Sequence, residues 1–217
     1  MSVVGIVPAG GSGERLGAAG PKAFVALGGR PLMEWSLEVL RGVCDRVVVA
    51  VPPGHERPPD LVAGGESRSA SVRNALAAAP EATVAVVHDA ARPLVTREIV
   101  ETCLAALRPG VDGAIAAAPM TDTVKEAGPD RRVIRTLDRS VLWRIQTPQV
   151  FRADVLREAL DTHETALAEA PDDAALVEEV GGTVRVVDSP PENLKVTRAS
   201  DLSIAEALLR ARAAVGC

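Results

Sequence analysis

Short apolar runs rich in β-branched residues alternate along the chain with longer stretches in which apolar positions return every three or four residues. The runs Val3–Val7, Arg46–Val51, Val84–His88, Ala114–Ala118 and Thr183–Val187 have the length and composition of strands. Behind Pro31, Leu32, Trp35, Val39 and Leu40 share one helical face, and a proline suits the first turn because no helical bond needs its missing amide hydrogen. Thr96 can cap a second helix that turns Ile99, Val100, Cys103 and Leu107 inward. Further helices are predicted over Ser71–Ala79, Ala153–His163, Asp172–Val180 and Ser200–Ala213. Asp172 and Asp173 fit the start of theirs, where negative charge complements the helix dipole.

Strand alternating with helix predicts an α/β fold: a single-domain, Rossmann-like, mostly parallel sheet with helices on both faces and right-handed crossovers. Ligands then bind beyond the carboxyl ends of the strands. One segment breaks the alternation. From Thr121 to about Gln149 charges crowd together, and Gly128-Pro129-Asp130 supplies a turn between Thr123-Val124-Lys125 and Val133-Ile134-Arg135. This predicts a projecting β-hairpin arm at about 121–149. Alone in water it would expose Val124, Val133, Ile134, Leu137 and Val141, so a second subunit is expected to cover it.

Composition narrows the function. A chain of 217 residues that is 47% apolar can bury one good core, and nothing marks a second folding unit, so one domain spanning 1–217 is expected. A net charge of −5 and 2% aromatic residues argue against a nucleic-acid binder, which would show a basic face and stacking rings. Cys44, Cys103 and Cys217 are far apart and His55, His88 and His163 are isolated, so neither a disulfide framework nor a zinc site is implied. The opening MSVVGIVPAGG lacks the basic and long apolar regions of a signal peptide, and no stretch suits a bilayer. The expected setting is the cytoplasm, away from membranes. Pro52–Pro59 reads as a surface loop.

The strongest chemical signal lies at the start. A buried strand ending at Pro8 empties into Ala9-Gly10-Gly11-Ser12-Gly13-Glu14-Arg15-Leu16-Gly17, where backbone amides can come close to a phosphate chain. Such a loop can also be a plain turn. It is not a Walker loop, since no lysine directly follows a glycine at the required separation, and it is not a dinucleotide fingerprint, since Leu16 stands where the third glycine belongs. What remains is a loop with two nearby cations, Arg15 and Lys22, suited to a ligand as anionic as a triphosphate.

PAGGSGERLGAAGPKAF resembles the opening signature of nucleotidyltransferases that activate sugars and polyols. GGESRSASV (Gly64 to Val72), HDAARP (His88 to Pro93), DRSVLWRIQTPQVF (Asp138 to Phe151), DDAALVEEVG (Asp172 to Gly181) and ENLKVT (Glu192 to Thr197) follow. In this order they are similar to the 2-C-methyl-D-erythritol 4-phosphate cytidylyltransferase family of the non-mevalonate isoprenoid pathway, from Val3 to about Glu206. The resemblance implies transfer of CMP from CTP to 2-C-methyl-D-erythritol 4-phosphate with loss of pyrophosphate. It implies Arg15 and Lys22 as transition-state cations, and Arg139 and Lys195 as the pair that positions the acceptor phosphate. Pro8, Ala9, Gly10, Gly11, Gly13, Gly65, Glu66, Ser71, Asp89 and Ala90 match the region that holds CTP, while Arg92, Thr123 and Thr147 match the rest of the acceptor and phosphate pocket. It further implies a homodimer with shared sites. Mg2+ is the expected cofactor, with Asp89 as the protein group that orients it and Glu192 a weaker candidate.

In one place the chain departs from the family: Pro171 stands where a threonine is common before the acidic pair, offering neither hydroxyl nor amide hydrogen to an acceptor. Two other readings stay open. One is a ribitol-5-phosphate cytidylyltransferase, and the other, of a different class, is a catalytically inactive nucleotide-binding subunit. A molybdopterin guanylyltransferase would share the first loop but would not be expected to carry DRSVLWRIQTPQVF.

Overall fold

The computed structural model describes residues 1–11, 13, 16, 20–57 and 59–215. Ser12, Glu14, Arg15 and Cys217, read above from the sequence, lie outside the described residues.

A seven-stranded sheet forms the middle layer. Its strands are β1 (Val3–Pro8), β4 (Arg46–Val51), β5 (Leu61–Ala63), β6 (Val84–Val87), β7 (Gly113–Pro119), β10 (Trp143–Arg152) and β11 (Val184–Asp188). They lie in the order β11-β7-β10-β6-β1-β4-β5. Two small hairpins stand apart: β2 (Ala26–Leu27) with β3 (Arg30–Pro31), and β8 (Lys125–Ala127) with β9 (Val133–Thr136). The helices are α1 (Leu32–Arg41), α2 (Arg68–Ala77), α3 (Arg97–Ala106), α4 (Ala153–Leu160), α5 (Glu164–Glu169), α6 (Asp173–Glu179) and α7 (Ala199–Val215).

β1, β6, β7 and, after Arg46, β4 are apolar throughout because both faces are covered and successive side chains point to opposite layers. Val4 and Ile6 of β1, with Val48 and Ala50 of β4, pack against Val72 and Leu76 of α2 and Leu156 and Leu160 of α4. Val7, Val49 and Val51 face the other way, toward Leu37 and Leu40 of α1 and Ile99, Val100 and Cys103 of α3. Each fully buried valine, leucine or isoleucine among them contributes about 1.5–3 kcal/mol before entropy is counted. A third cluster joins Leu27, Leu32, Leu94, Val196 and Ala205, so that α7 packs over the β2–β3 hairpin.

β1 pairs in parallel with both β4 and β6. After β1 the chain winds to one side through β4 and β5, then returns to β6 on the other side. This reversal opens a crevice outside the carboxyl ends of β1 and β6, the place where open α/β sheets hold ligands.

The sequence reading differs from the fold in three places. The 121–149 segment divides: β8 and β9 form a hairpin, but from Trp143 the chain enters the sheet as β10, antiparallel to both β6 and β7. Helix α2 starts at Arg68 and not at Ser71, because the Ser67 side chain accepts the Ala70 amide at 3.1 Å and caps it there. The short elements β2, β3, β5 and α5 carry too few apolar residues to stand out in the pattern.

Candidate active site

The crevice is a cleft of about 430 Å³. Its first wall is the end of β1 and the loop after it, which contribute Pro8, Ala9, Gly10, Gly11 and Gly13. The Ala9 amide donates to the Ala50 carbonyl at 2.8 Å and ties the start of this loop to β4. A Cβ built on Gly10 or Gly11 meets nothing within 4 Å, and neither residue has a positive φ. Neither strain nor packing demands glycine there, so bare backbone facing the cleft is what these positions provide. The Lys22 amide donates to the Gly11 carbonyl at 2.9 Å, which brings Lys22 to the cleft.

The second wall is the turn into α2, with Gly65, Glu66, Ser67, Arg68 and Ser71. Gly65 is here for a steric reason: an added Cβ would lie 2.5 Å from the Ala70 Cβ and 2.8 Å from the Ala70 carbonyl carbon. Its amide donates to Ser71 Oγ at 3.0 Å, and that hydroxyl donates to the Ser67 carbonyl at 2.9 Å. Gly65→Ala is expected to lower the unfolding free energy by about 1–3 kcal/mol, since the helix start must move. Denaturant melts check this. Wild-type stability would mean that the turn relaxes freely and that the tight packing is not required.

Charge collects on the floor. Asp89, just past β6, accepts from Arg68 Nε at 2.9 Å through Oδ1 and from Lys195 Nζ at 2.8 Å through Oδ2. Arg92 Nε stands 3.9 Å from the same Oδ2. Burial by itself would raise the Asp89 carboxyl, but Arg68 and Lys195 outweigh it and hold the group well below the usual carboxylate range. Burial likewise opposes the charge on Arg68, and the Asp173 and Asp89 carboxylates hold it on.

Asp89 is fixed from behind by β10. Its amide donates to Thr147 Oγ1 at 3.0 Å, and that oxygen lies 3.1 Å from His88 Nδ1. His88 Nε2 is 3.1 Å from the Arg92 carbonyl, which only accepts, so Nε2 carries the proton and Nδ1 accepts from Thr147. Burial lowers the His88 pKa to about 4, and the ring is a neutral strut.

Of the residues expected from the sequence, the cleft gathers the glycine loop, Lys22, Gly65, Glu66, Ser71, Asp89, Ala90 and Lys195. Four others do not line it. Thr147 is buried behind Asp89, and Arg92 is turned into the protein, donating to the Asn193 carbonyl at 2.8 Å and the Ile145 carbonyl at 3.3 Å. Thr123 and Arg139 are exposed beside the hairpin, where Arg139 Nη1 donates to the Thr121 carbonyl at 2.6 Å. Glu192 is exposed and also outside the cleft.

Sequence reasoning missed Arg68, whose two carboxylate partners lie 21 and 105 residues away. It also missed Asn193, fully buried, whose Nδ2 donates to Gln146 Oε1 and the Thr147 carbonyl, both at 2.9 Å. The motifs GGESRSASV and ENLKVT contain both residues, but nothing in either names a partner.

Among the described residues no group of three or more His, Cys, Asp or Glu side chains could cage a metal ion. Asp89 nevertheless fits the smaller share that Mg2+ takes from a protein when phosphates and water supply the rest. Its oxygens hold about four acceptor positions, of which Arg68 and Lys195 use two at close range.

A doubly wound sheet, a glycine loop at its switch point and lysines facing that loop across an aspartate define a nucleotidyltransferase. The family model described as IspD, 2-C-methyl-D-erythritol 4-phosphate cytidylyltransferase, matches residues 3–211, and the chain belongs to that family. A relative of that name from Frankia casuarinae is 45% identical over 95% of this chain and 81% of its own length. Another, from Nocardia farcinica, is 42% identical over 99% of this chain and 96% of its own. The crystal structure of the enzyme of the same name from Thermus thermophilus superposes with a TM-score of 0.80 at 35% identity, covering 97% of this chain and 100% of that one.

Proposed function

We propose that this chain transfers the CMP group of CTP to 2-C-methyl-D-erythritol 4-phosphate, releasing pyrophosphate and giving 4-diphosphocytidyl-2-C-methyl-D-erythritol. The observation that carries the reading is the meeting of bare backbone, Lys22, Asp89 and Lys195 in one cleft of a chain that belongs to this family. A phosphate oxygen of the acceptor attacks the α-phosphorus; that P–O bond forms as the bond to the β-phosphate bridge breaks.

A phosphomonoester has its second pKa near roughly 6, so the nucleophile is already mostly ionised at neutral pH. No enzymic base is needed. The neutral, fully engaged His88 agrees with this, and catalysis falls to orientation and charge. Lys22, together with Arg15, neutralises the α-phosphate as charge builds on it, while Lys195 steadies the incoming phosphate. Gly10 and Gly11 let backbone amides approach the triphosphate. Asp89 would hold Mg2+, which when bound supplies charge neutralisation and a folded triphosphate.

Thr123 and Arg139 do not line the cleft of their own chain, and the arm leaves Val133, Ile134 and Val141 56%, 64% and 70% exposed. Both facts support a homodimer in which each arm is covered by the other subunit and completes its site. Cys44 and Cys103 are buried free thiols, which supports a cytoplasmic setting. Among the described residues no helix is long and apolar enough to cross a membrane.

Pyrophosphate release measured with CTP, ATP, GTP and UTP against methylerythritol phosphate and ribitol 5-phosphate tests the reading. Release with CTP and methylerythritol phosphate is expected. Preference for ribitol 5-phosphate would replace the acceptor, and no release with any pair would leave a nucleotide-binding subunit.

A further inference from the structure

The acidic pair Asp172-Asp173 divides its work. Asp172 caps α6, accepting the Ala175 amide at 2.9 Å through Oδ1, and is stapled to β10 by Gln149 Nε2, also at 2.9 Å, through Oδ2. Asp173 does neither. It is 0% exposed, and its Oδ2 takes Arg68 Nη1 at 2.6 Å. Arg68 is therefore stretched between two buried carboxylates from different parts of the chain, Asp89 on Nε and Asp173 on Nη1.

Such a cluster is a poor way to stabilise a fold, since desolvating several charges offsets most of their attraction. Asp173 even keeps one oxygen, Oδ1, without a hydrogen-bond partner, and burial raises its pKa. A group held so expensively in place is explained by what it aims. With Nε and Nη1 taken, the Nη2 edge of the guanidinium remains for a ligand in the cleft that Arg68 lines. Asp89 is set by the same fork.

We infer that Asp173 is a positioning residue: it anchors the far side of Arg68, and through Arg68 fixes both the orientation of Asp89 and the donor edge offered to the nucleotide. The inference rests on the cleft being the CTP site. Asp173 itself touches no substrate.

The test is a double-mutant cycle of Arg68→Gln and Asp173→Asn, read as kcat and KM for CTP beside thermal unfolding. Asp173→Asn is expected to lower kcat/KM about tenfold when assayed well below its melting temperature, which falls because a buried charge loses a partner, since small misplacements in a site are costly in rate. The double variant is expected to match Arg68→Gln within about twofold, because the second change acts only through the first. Asp172→Asn keeps a capping oxygen, and the Gln149 amide, whose Oε1 lacks a partner, can turn to accept from the new Nδ2, so this variant should behave as wild type. If Asp173→Asn does not fold, the double variant, which deletes both ends of the pair, still gives the comparison with Arg68→Gln. Additive losses, or wild-type kinetics in folded Asp173→Asn, would overturn the positioning role. Wild-type kinetics in Arg68→Gln would instead strike the assignment of the cleft to CTP, and the inference with it.

Discussion

Lys22→Ala should lower turnover by about 10²–10³ while CTP still binds, the usual consequence of removing one group that stabilises developing charge. The Lys22 amide is pinned to the Gly11 carbonyl at 2.9 Å, so the residue is held against the bare loop proposed to receive the phosphates. In the proposed complex, backbone amides and the other cations of the cleft already neutralise the ground-state triphosphate, so a single lysine is expected to contribute little to binding. Its charge matters most when the attacking and leaving oxygens both load the α-phosphorus. Steady-state kinetics beside direct titration of CTP separate the two effects. A raised KM with unchanged kcat would make Lys22 a binding group only.

Mixing Lys22→Ala and Arg139→Ala chains should restore about a quarter of wild-type activity, although each variant alone is nearly inactive. If chains unfolded together reassemble at random, about half of the dimers contain one of each. In every mixed dimer one site carries both lesions and the other carries neither, provided that Arg139 of one subunit serves the cleft of its partner. Arg139 lies beside the hairpin, hydrogen-bonded to the Thr121 carbonyl, and does not line the cleft of its own chain. A site built from one chain alone would recover nothing. Demonstrably mixed dimers without activity, or a monomer by sedimentation at assay concentration, would sink the shared site.

The layered fold was legible because all but one of its central strands are apolar on both faces. β1, β4, β6, β7 and β11 all follow from short β-branched or small apolar runs, and α1 and α3 from their periodicity. β10 was hidden for a reason that belongs to the site. Its buried residues include Gln146, Thr147 and Gln149, polar groups engaged with Asn193, Asp89 and Asp172, and Pro148 interrupts it where the register shifts. No alternation of apolar and polar residues survives in such a strand. The glycine loop, Lys22, Asp89 and Lys195 were found through motifs and meet in the cleft. Arg68 was not, because a charge pairing across 105 residues leaves no local trace.

The place of β10 between β6 and β7 imposes an order on biosynthesis. Strands β1, β4, β5 and β6 are complete once residue 87 has been made, and they can associate as a parallel half-sheet by local crossovers. β7 cannot join them directly, because the strand that separates the two is translated only after the hairpin. Until Arg152 has left the ribosome, the nascent chain carries β6, a run of four buried apolar residues, with one edge unpaired. An open apolar edge is a template for aggregation, so this interval is when the polypeptide most needs a chaperone. Lys195 emerges later still. The ribosome therefore makes the glycine-loop wall of the cleft first and its Lys195 last, and a half-made chain lacks the full set of charges that the cleft gathers.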